Sequence, residues 1–330
     1  ARSRERMKIE GAGHSYAVNR ASTGFSGTAR YQDLVGGISY YRFICRIADA
    51  FRKEPKALAA KLWEISDKLF RLENMFVSVT AEPEGIAALE QAYPAWEAQY
   101  LQDFREKELL REVLDTSYTA GAQKTTEDAK PQLLLEGSRN EGFRTPSQVN
   151  YVARAGWYDP TKLPYTGALR VLKVILNYDY LWIHLRVKGG AYGCMAGFGR
   201  SGEGYFCSYR DPHLKETLDC YDALPDYLRH FAASPRDMTK YIIGAISELD
   251  TPRTNANVAA LSVSAFLSHV SNDMLQKERD EVLRTTVDDI RALAAYAEAL
   301  LATGAGCTIG NATEIDAHQD LFLTTEELFQ

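Results

Sequence analysis

The sequence predicts an α+β protein of two lobes, made of about one and a half related units. Three observations carry this. The 330 residues amount to nearly two ordinary domains. Stretches with helical spacing alternate with short strand-like runs along the chain. Two segments also echo each other. Phe76-Val-Ser-Val-Thr-Ala-Glu-Pro-Glu84 and Cys307-Thr-Ile-Gly-Asn-Ala-Thr-Glu314 each combine a short strand, a small polar turn and a helix beginning near a Glu. Residues 1–115 hold too few strand candidates to be a full copy of the region after Pro131, so the first unit is expected as its C-terminal part only.

In chain order, Ser15-Tyr-Ala-Val-Asn-Arg-Ala21 reads as a short strand. A helix is expected from about Tyr31 to Phe51, and a second one carries Leu58, Leu62, Ile65 and Leu69 on one face. Met75–Thr80 reads as a strand, and Pro83 lies early in a helix reaching about Leu101. The polar stretch 116–131, with Gly121 and Pro131, reads as a linker to a second lobe at 132–330. That lobe opens with strand candidates at Gln132–Leu135 and Gln148–Ala155. A long, mostly buried helix is expected from about Tyr165 to Lys188, wet along Lys173, Asn177, His184 and Lys188. Strands Ala191–Gly197 and Gly204–Tyr209 come next, joined by a glycine-rich loop. Asp211-Pro212, Ser234-Pro-Arg-Asp237 and Thr286-Val-Asp-Asp289 carry helix-start signals, the last two spaced as capping boxes. Strand Cys307–Ile309 and a helix from Glu314 close the lobe.

Composition excludes several classes. With 45% hydrophobic and 25% charged residues the chain is an ordinary globular one. A net charge of -6 offers no general attraction to phosphate backbones, so a nucleic-acid partner is not expected. Five scattered cysteines argue against a disulfide framework and for a reducing compartment, the cytoplasm or an organelle matrix. No apolar run reaches the roughly 18 residues that span a bilayer, so no membrane partner is expected. The chain starts Ala1-Arg-Ser-Arg-Glu-Arg-Met7, without the apolar core of a secretion signal, and is expected to be processed or excised from a longer protein.

Gly197-Phe-Gly199-Arg-Ser-Gly202 matches G-x-G-x-x-G, but a strand rather than a helix comes after it, so a hairpin turn accounts for it better than a phosphate cradle. The six histidines show no metal-ligand pairing. In His213-Leu-Lys-Glu216-Thr217 the last position would need an imidazole, and Cys194, Cys207, His213 and Cys220 lack a C-x-x-C element. His14 reads as a solvated histidine in a flexible opening.

Leu181-Trp-Ile-His-Leu-Arg186-Val-Lys-Gly189-Gly190-Ala-Tyr192-Gly193 is the most distinctive stretch. A helix ends, a glycine takes the left-handed cap, and Arg186 and Tyr192 flank the turn with strong donors. Two readings stay open at this point. The pair could hold a carbonyl or a developing oxyanion, or the stretch could be a helix cap with Arg186 on a carboxylate and Tyr192 half-buried.

Arg186-Val-Lys-Gly-Gly-Ala-Tyr192-Gly193, together with the later Gly204-Tyr-Phe-Cys-Ser-Tyr-Arg-Asp-Pro212, resembles the C-terminal half of the pitrilysin/insulinase family of zinc metallopeptidases, in its presequence-protease branch. Pro146-Ser-Gln-Val-Asn-Tyr-Val152 and Tyr31-Gln-Asp-Leu-Val-Gly-Gly-Ile-Ser-Tyr-Tyr41 are similar to that branch too. The resemblance implies metallopeptidase-type α/β rolls, each a sheet covered by helices on one side. Residues 1–115 would be the end of a third roll and 132–330 a fourth. It implies that Arg186 and Tyr192 bind the substrate backbone and polarise the scissile carbonyl, with Gly189 and Gly190 letting the peptide main chain approach. The family's His-x-x-Glu-His motif is missing from this sequence. No cofactor is therefore expected in this chain, and zinc is expected in an N-terminal catalytic half, its partner besides the peptide substrate.

The chain thus reads as the substrate-enclosing, by itself non-catalytic, half of a zinc endopeptidase acting on unstructured peptides. The alternatives are a scaffold or partner subunit of a peptidase-like complex, and a phosphate-binding enzyme built on the glycine-rich hairpin.

Overall fold

A computed structural model describes residues 2–114, 137 and 139–329. The expected linker at 116–131 and the strand candidate Gln132–Leu135 lie outside the described residues.

The chain opens with helix α1 (Arg2–Ser22), which corrects the strand expected at Ser15–Ala21. Ile9, Gly13, Ala17 and Ala21, four apart, form a buried face, small from Gly13 onward. Gly13 is required by that packing, because a Cβ would lie 2.3 Å from the Tyr151 ring. Ser26 caps α2 (Gly27–Gly36) by accepting from the Ala29 N–H. The single helix expected at Tyr31–Phe51 is broken at Gly37, and α3 (Ile38–Lys53) begins after it. The break lets the chain pass Asp33 closely, where a Cβ on Gly37 would sit 2.6 Å from the Asp33 Cα. Helix α4 (Pro55–Leu69) forms as expected, but Leu62, Ile65 and Leu69 of its apolar stripe are exposed.

Met75–Thr80 takes no regular structure and pairs with nothing among the described residues, so the expected strand is absent there, and Val77 and Val79 are exposed. Helix α5 (Pro83–Leu114) runs on well past Leu101. Residues 2–114 contain no strand at all. Residues 66–114 and 252–271 belong to a compact helical unit of their own. Within it the Tyr100 hydroxyl donates to the Phe70 carbonyl at 2.9 Å, and Trp96 stacks on Tyr100.

The other unit contains the sheet. Its elements after α4 are β1 (Asn140–Thr145), β2 (Tyr151–Trp157), α6 (Ala168–Ile175), β3 (Gly193–Phe198), β4 (Glu203–Tyr209), α7 (Lys215–Asp222), α8 (Leu224–Arg229) and α9 (Pro235–Leu249). Helix α10 (Asn255–Leu267) belongs to the helical unit. Then come α11 (Asn272–Arg284), α12 (Val287–Ala292), α13 (Ala294–Ala302), β5 (Ala305–Asn311), α14 (Ala312–Ala317) and β6 (Thr324–Glu327). The strands form one mixed sheet in the order β3-β4-β2-β5-β1-β6. β1 runs parallel to β5 and β6, and the other pairs are antiparallel.

Strand alternation sorts side chains to the two faces. Val152 and Phe206 join Leu169, Leu172, Ile175, Tyr221 and Leu300 on one face, beneath helices that all come after β2 in sequence. Tyr151, Ala153, Cys207 and Ile309 point the other way, against Ile9, Ala17, Ala21, Ile38 and Tyr41 of α1 and α3. The lobe's own helices therefore cover one side of the sheet, and the N-terminal helices cover the opposite side.

Local helix signals form real caps where the partners are close in sequence. Ser234 accepts from the Asp237 N–H, and Thr286 and Asp289 cap α12 reciprocally. Asp211 is different. Its carboxylate turns inward and accepts from the Thr217 hydroxyl at 2.7 Å and the His213 N–H at 3.0 Å, so the helix starts only at Lys215.

Candidate functional site

The long helix expected to Lys188 is continuous from α6, but it widens into π-helical turns over Leu176–Tyr180 and Trp182–Lys188. Such widening is rare and recurs at functional sites. Asn177 in the first widened stretch accepts the outward N–H of Ala196 at 2.7 Å, tying edge strand β3 to the helix. Lys173 pairs with Glu248, and Lys188 is exposed.

The second widened stretch ends at the two glycines. Gly190 has φ +79 and donates to the Arg186 carbonyl at 3.1 Å, while Ala191 donates to the Leu185 carbonyl at 2.9 Å. Gly190 is thus the left-handed residue of the turn, and its side is open, the nearest atom to a built Cβ being Pro212 Cγ at 3.7 Å. Gly189 serves the helix end, since a Cβ there would come within 2.7 Å of the Leu185 carbonyl oxygen.

This turn brings Arg186 and Tyr192 together. The Arg186 guanidinium carbon lies 4.2 Å over the Trp182 ring and 5.6 Å from the Tyr192 ring centre. Arg186 is exposed and makes no ion pair with a described carboxylate. Tyr192 is 65% exposed, not half-buried, and its ring meets Tyr209 edge-on at 5.7 Å. The cap reading therefore accounts for the glycines but not for the Arg or the Tyr. An unpaired guanidinium steadied by an indole, beside an exposed phenol, is free to donate hydrogen bonds to an incoming acceptor.

Three neighbours escaped the sequence reading. Trp182 supports Arg186 from one turn earlier. Tyr209 links Tyr192 to His14 at 4.8 Å and to Tyr151 at 5.5 Å. Arg210 has φ +50, one of two non-glycine residues with positive φ among the described residues. That conformation costs about 1–2 kcal/mol for a residue with a Cβ. It is held by the bridge between Asn150 and Asp211, whose main chains exchange hydrogen bonds at 2.7 and 2.8 Å. Only Trp182, four residues before Arg186 on the same helix, has a local signal in the sequence; Tyr209 and Arg210 have none.

His14 corrects its expectation. It is half-buried between Tyr151 and Tyr209 beside the kink at Ala12, and burial lowers its pKa below the ordinary 6.5. The glycine-rich loop is a β3–β4 hairpin turn. The Tyr158 hydroxyl donates to the Gly199 carbonyl, the Trp157 indole to the Ser201 carbonyl, and a Cβ on Gly202 would meet the Tyr158 carbonyl oxygen at 2.1 Å. The loop is pinned against its own lobe between two strands, and no helix N-terminus comes after it to hold a phosphate.

Among the described residues no three His, Cys, Asp or Glu side chains come together as metal ligands, so the residues present do not fit a zinc ion. Cys194 and Cys207 are buried thiols, and burial pushes Cys194 up to about 11, away from the thiolate a metal needs. No helix of the described residues is long and apolar enough to cross a membrane.

The family models and the curated relatives agree with one another. The family model described as the PreP C-terminal domain matches residues 140–306, just over half of the chain, and a peptidase-associated family model matches residues 1–47. Protein HypA of Clostridium perfringens is 34% identical over 323 residues, covering 96% of this chain and 31% of its own length. Presequence protease 1, chloroplastic/mitochondrial, of Arabidopsis thaliana is 28% identical over 318 residues, covering 96% and 28%. The chain thus spans under a third of the length of these relatives. Among solved structures, a protease from Helicobacter pylori aligns with a TM-score of 0.43 at 17% identity, over 56% of this chain and 48% of that one. A peptidase M16 inactive domain from Pseudomonas fluorescens gives 0.40 at 19%, over 52% and 43%. The chain belongs to the presequence-protease branch of the pitrilysin-type peptidases and corresponds to their C-terminal part.

Proposed function

We propose that this chain is the substrate-enclosing C-terminal part of a zinc endopeptidase that cuts unstructured peptides, with Arg186 and Tyr192 gripping the peptide at the bond to be cleaved. The observation that carries the reading is the free Arg186 guanidinium, stacked on Trp182 and placed beside an exposed Tyr192 by a turn that Gly189 and Gly190 make possible. In this reading residues 1–115 end a preceding unit, 116–131 link it to the last one at 132–330, and α1 and α3 of the first pack on the sheet of the last. The separate family matches over 1–47 and 140–306 support that division.

Attack on a peptide carbonyl moves charge onto its oxygen, and donors already aimed at that oxygen stabilise the transition state more than the ground state. Arg186 brings a permanent positive charge and a planar set of N–H groups, and Tyr192 brings one hydroxyl. The open side of Gly190 leaves space for an extended main chain. The metal and the general base belong to the rest of the protein, since no described ligand set exists here to hold them.

The test uses the complete natural protein. It should cut a flexible fluorogenic peptide in a zinc-dependent manner and leave a folded protein of the same sequence content intact, and Arg186→Met should lose most of the activity without losing zinc. A complete protein without peptidase activity, or an Arg186→Met variant of normal activity, would replace this reading with that of a scaffold subunit.

A further inference from the structure

Beyond the Arg186–Tyr192 pair, the same surface carries a second unpaired guanidinium. Most described arginines meet a carboxylate, as Arg144 meets Asp316 and Glu327 and Arg154 meets Asp222. Arg210 is exposed and has no such partner among the described carboxylates. Its neighbour Asp211 is turned away and spent on Thr217 and His213. Instead the Arg210 guanidinium carbon lies 5.4 Å over the Tyr209 ring, and the group reaches the Tyr151 hydroxyl. Tyr209 in turn meets Tyr192 edge-on at 5.7 Å. Trp182, Arg186, Tyr192, Tyr209 and Arg210 therefore form one row, with a cation near each end and no described carboxylate paired with either. The backbone at Arg210 is left-handed and pinned by Asn150, the kind of outlier that gathers at binding sites.

We infer that Arg210 is a second anchor for the bound peptide and takes a carboxylate from it, setting a preference that Arg186 and Tyr192 do not set. The inference rests on the reading of Arg186 and Tyr192 as the peptide grip. At the ring spacings given, Arg210 lies within about five residues of extended chain from that grip, at roughly 3.3 Å per residue. A carboxylate suits the site for two reasons. It matches the planar fork of a guanidinium in a two-point hydrogen bond, and it supplies the charge that the row lacks. Two sources share this chemistry, an acidic side chain and the peptide's own C-terminus.

The experiment measures kcat/KM of the complete protein on a flexible fluorogenic peptide that carries Gln at every position within five residues of the cut. Each Gln is changed to Glu in turn, and a parallel pair of short peptides ends in a free carboxylate or an amide. One position, or the free end, should favour the carboxylate by about fivefold, the upper range for an exposed pair, and the preference should shrink as salt rises. In Arg210→Asn, which suits a left-handed backbone and should fold, the ratio should fall close to one. A preference only for the free end identifies the C-terminus as the ligand, and one at an internal position identifies an acidic side chain. Either supports the site. No preference anywhere in the unmodified protein, or an unchanged preference in Arg210→Asn, overturns it. Arg186→Met, assayed on the same peptides, separates the two readings. If it loses activity while no carboxylate preference exists, only the Arg210 site fails, and if it keeps full activity the grip itself fails.

Discussion

The guanidinium of Arg20 meets the carboxylate of Glu141 as a two-point fork, Nε to Oε2 at 2.7 Å and Nη2 to Oε1 at 2.9 Å, joining α1 to β1 across 121 residues of sequence. Asp33 closes the third side at 2.9 Å, and the Arg20 and Glu141 side chains are 7% and 9% exposed. Burial works against the charge, yet the hydrogen bond and charge of Glu141, with the charge of Asp33, hold the Arg20 pKa above its ordinary value. A buried pair of this kind adds little over an apolar replacement of both partners, but breaking it strands a charge. Arg20→Met leaves Glu141 with Arg139 at 3.2 Å and Asp33 with Arg30 at 3.8 Å, a poorer match for two buried carboxylates. It should cost about 3 kcal/mol, the low end for breaking a buried pair. Urea unfolding of this chain measures it, and a loss below about 1 kcal/mol would mean that the network is not closed in solution.

The same network makes a second expectation about opening. Ile9, Ala17, Ala21, Ile38 and Tyr41 share a core with Phe143, Tyr151 and Ile309. The amides of α1 and α3 should therefore exchange hydrogen on the slow timescale of β2 and β5, as one cooperative block. Exchange of α1 orders of magnitude faster than the strands beneath it would show the helices to be loosely attached.

Legibility in the sequence depends on how far apart the interacting partners are. Ser234 with Asp237, Thr286 with Asp289, and the β3–β4 hairpin depend on neighbours a few residues away, and all were legible. Ser15–Ala21 misled because its helix is fixed by Gly13 lying against Tyr151, 138 positions away. Met75–Thr80 has strand composition, but a strand needs a partner and none of the described residues pairs with it. At the site, the Arg186-to-Tyr192 run was legible because helix end, glycines and donors are consecutive. Arg210 was not, since its left-handed backbone is held by the bridge of Asp211 to Asn150, some 60 positions earlier in the chain.

His14 gives a pH dependence of known sign. Burial lowers its folded-state pKa from 6.5, so the unfolded chain binds the proton more readily. The stability due to neutral His14 is whole above about pH 6.5 and is lost as pH falls from there through the folded value. His14→Phe keeps a ring between Tyr151 and Tyr209 and cannot titrate. Melting temperatures between pH 7.5 and 5.5 should fall less for His14→Phe than for the unmodified chain. Equal falls would show that the imidazole protonates freely in the fold.

Tyr192 gives the sharpest test of the proposed grip, because its hydroxyl can be removed without disturbing the ring. The ring's contacts with Arg186 at 5.6 Å and Tyr209 at 5.7 Å survive in Tyr192→Phe, so folding should be unchanged. If the hydroxyl donates to the carbonyl under attack, its contribution grows as that oxygen gains charge, and the loss should fall mainly on kcat. In the complete protein kcat should drop by roughly 10²-fold, the low end for removing one oxyanion donor, with a smaller change in KM. Arg186→Lys should be impaired as well. A point charge on a flexible stem neither stacks on Trp182 in the same way nor presents a planar fork. Zinc content and melting temperature should stay the same in both variants, since neither residue is a metal ligand. If Tyr192 served only to pack, turnover per folded molecule would be normal and any deficit would track the melting temperature instead. A fluorogenic peptide assay with zinc analysis and melting curves on the same preparations decides, and a normal kcat/KM in Tyr192→Phe removes that hydroxyl from the chemistry.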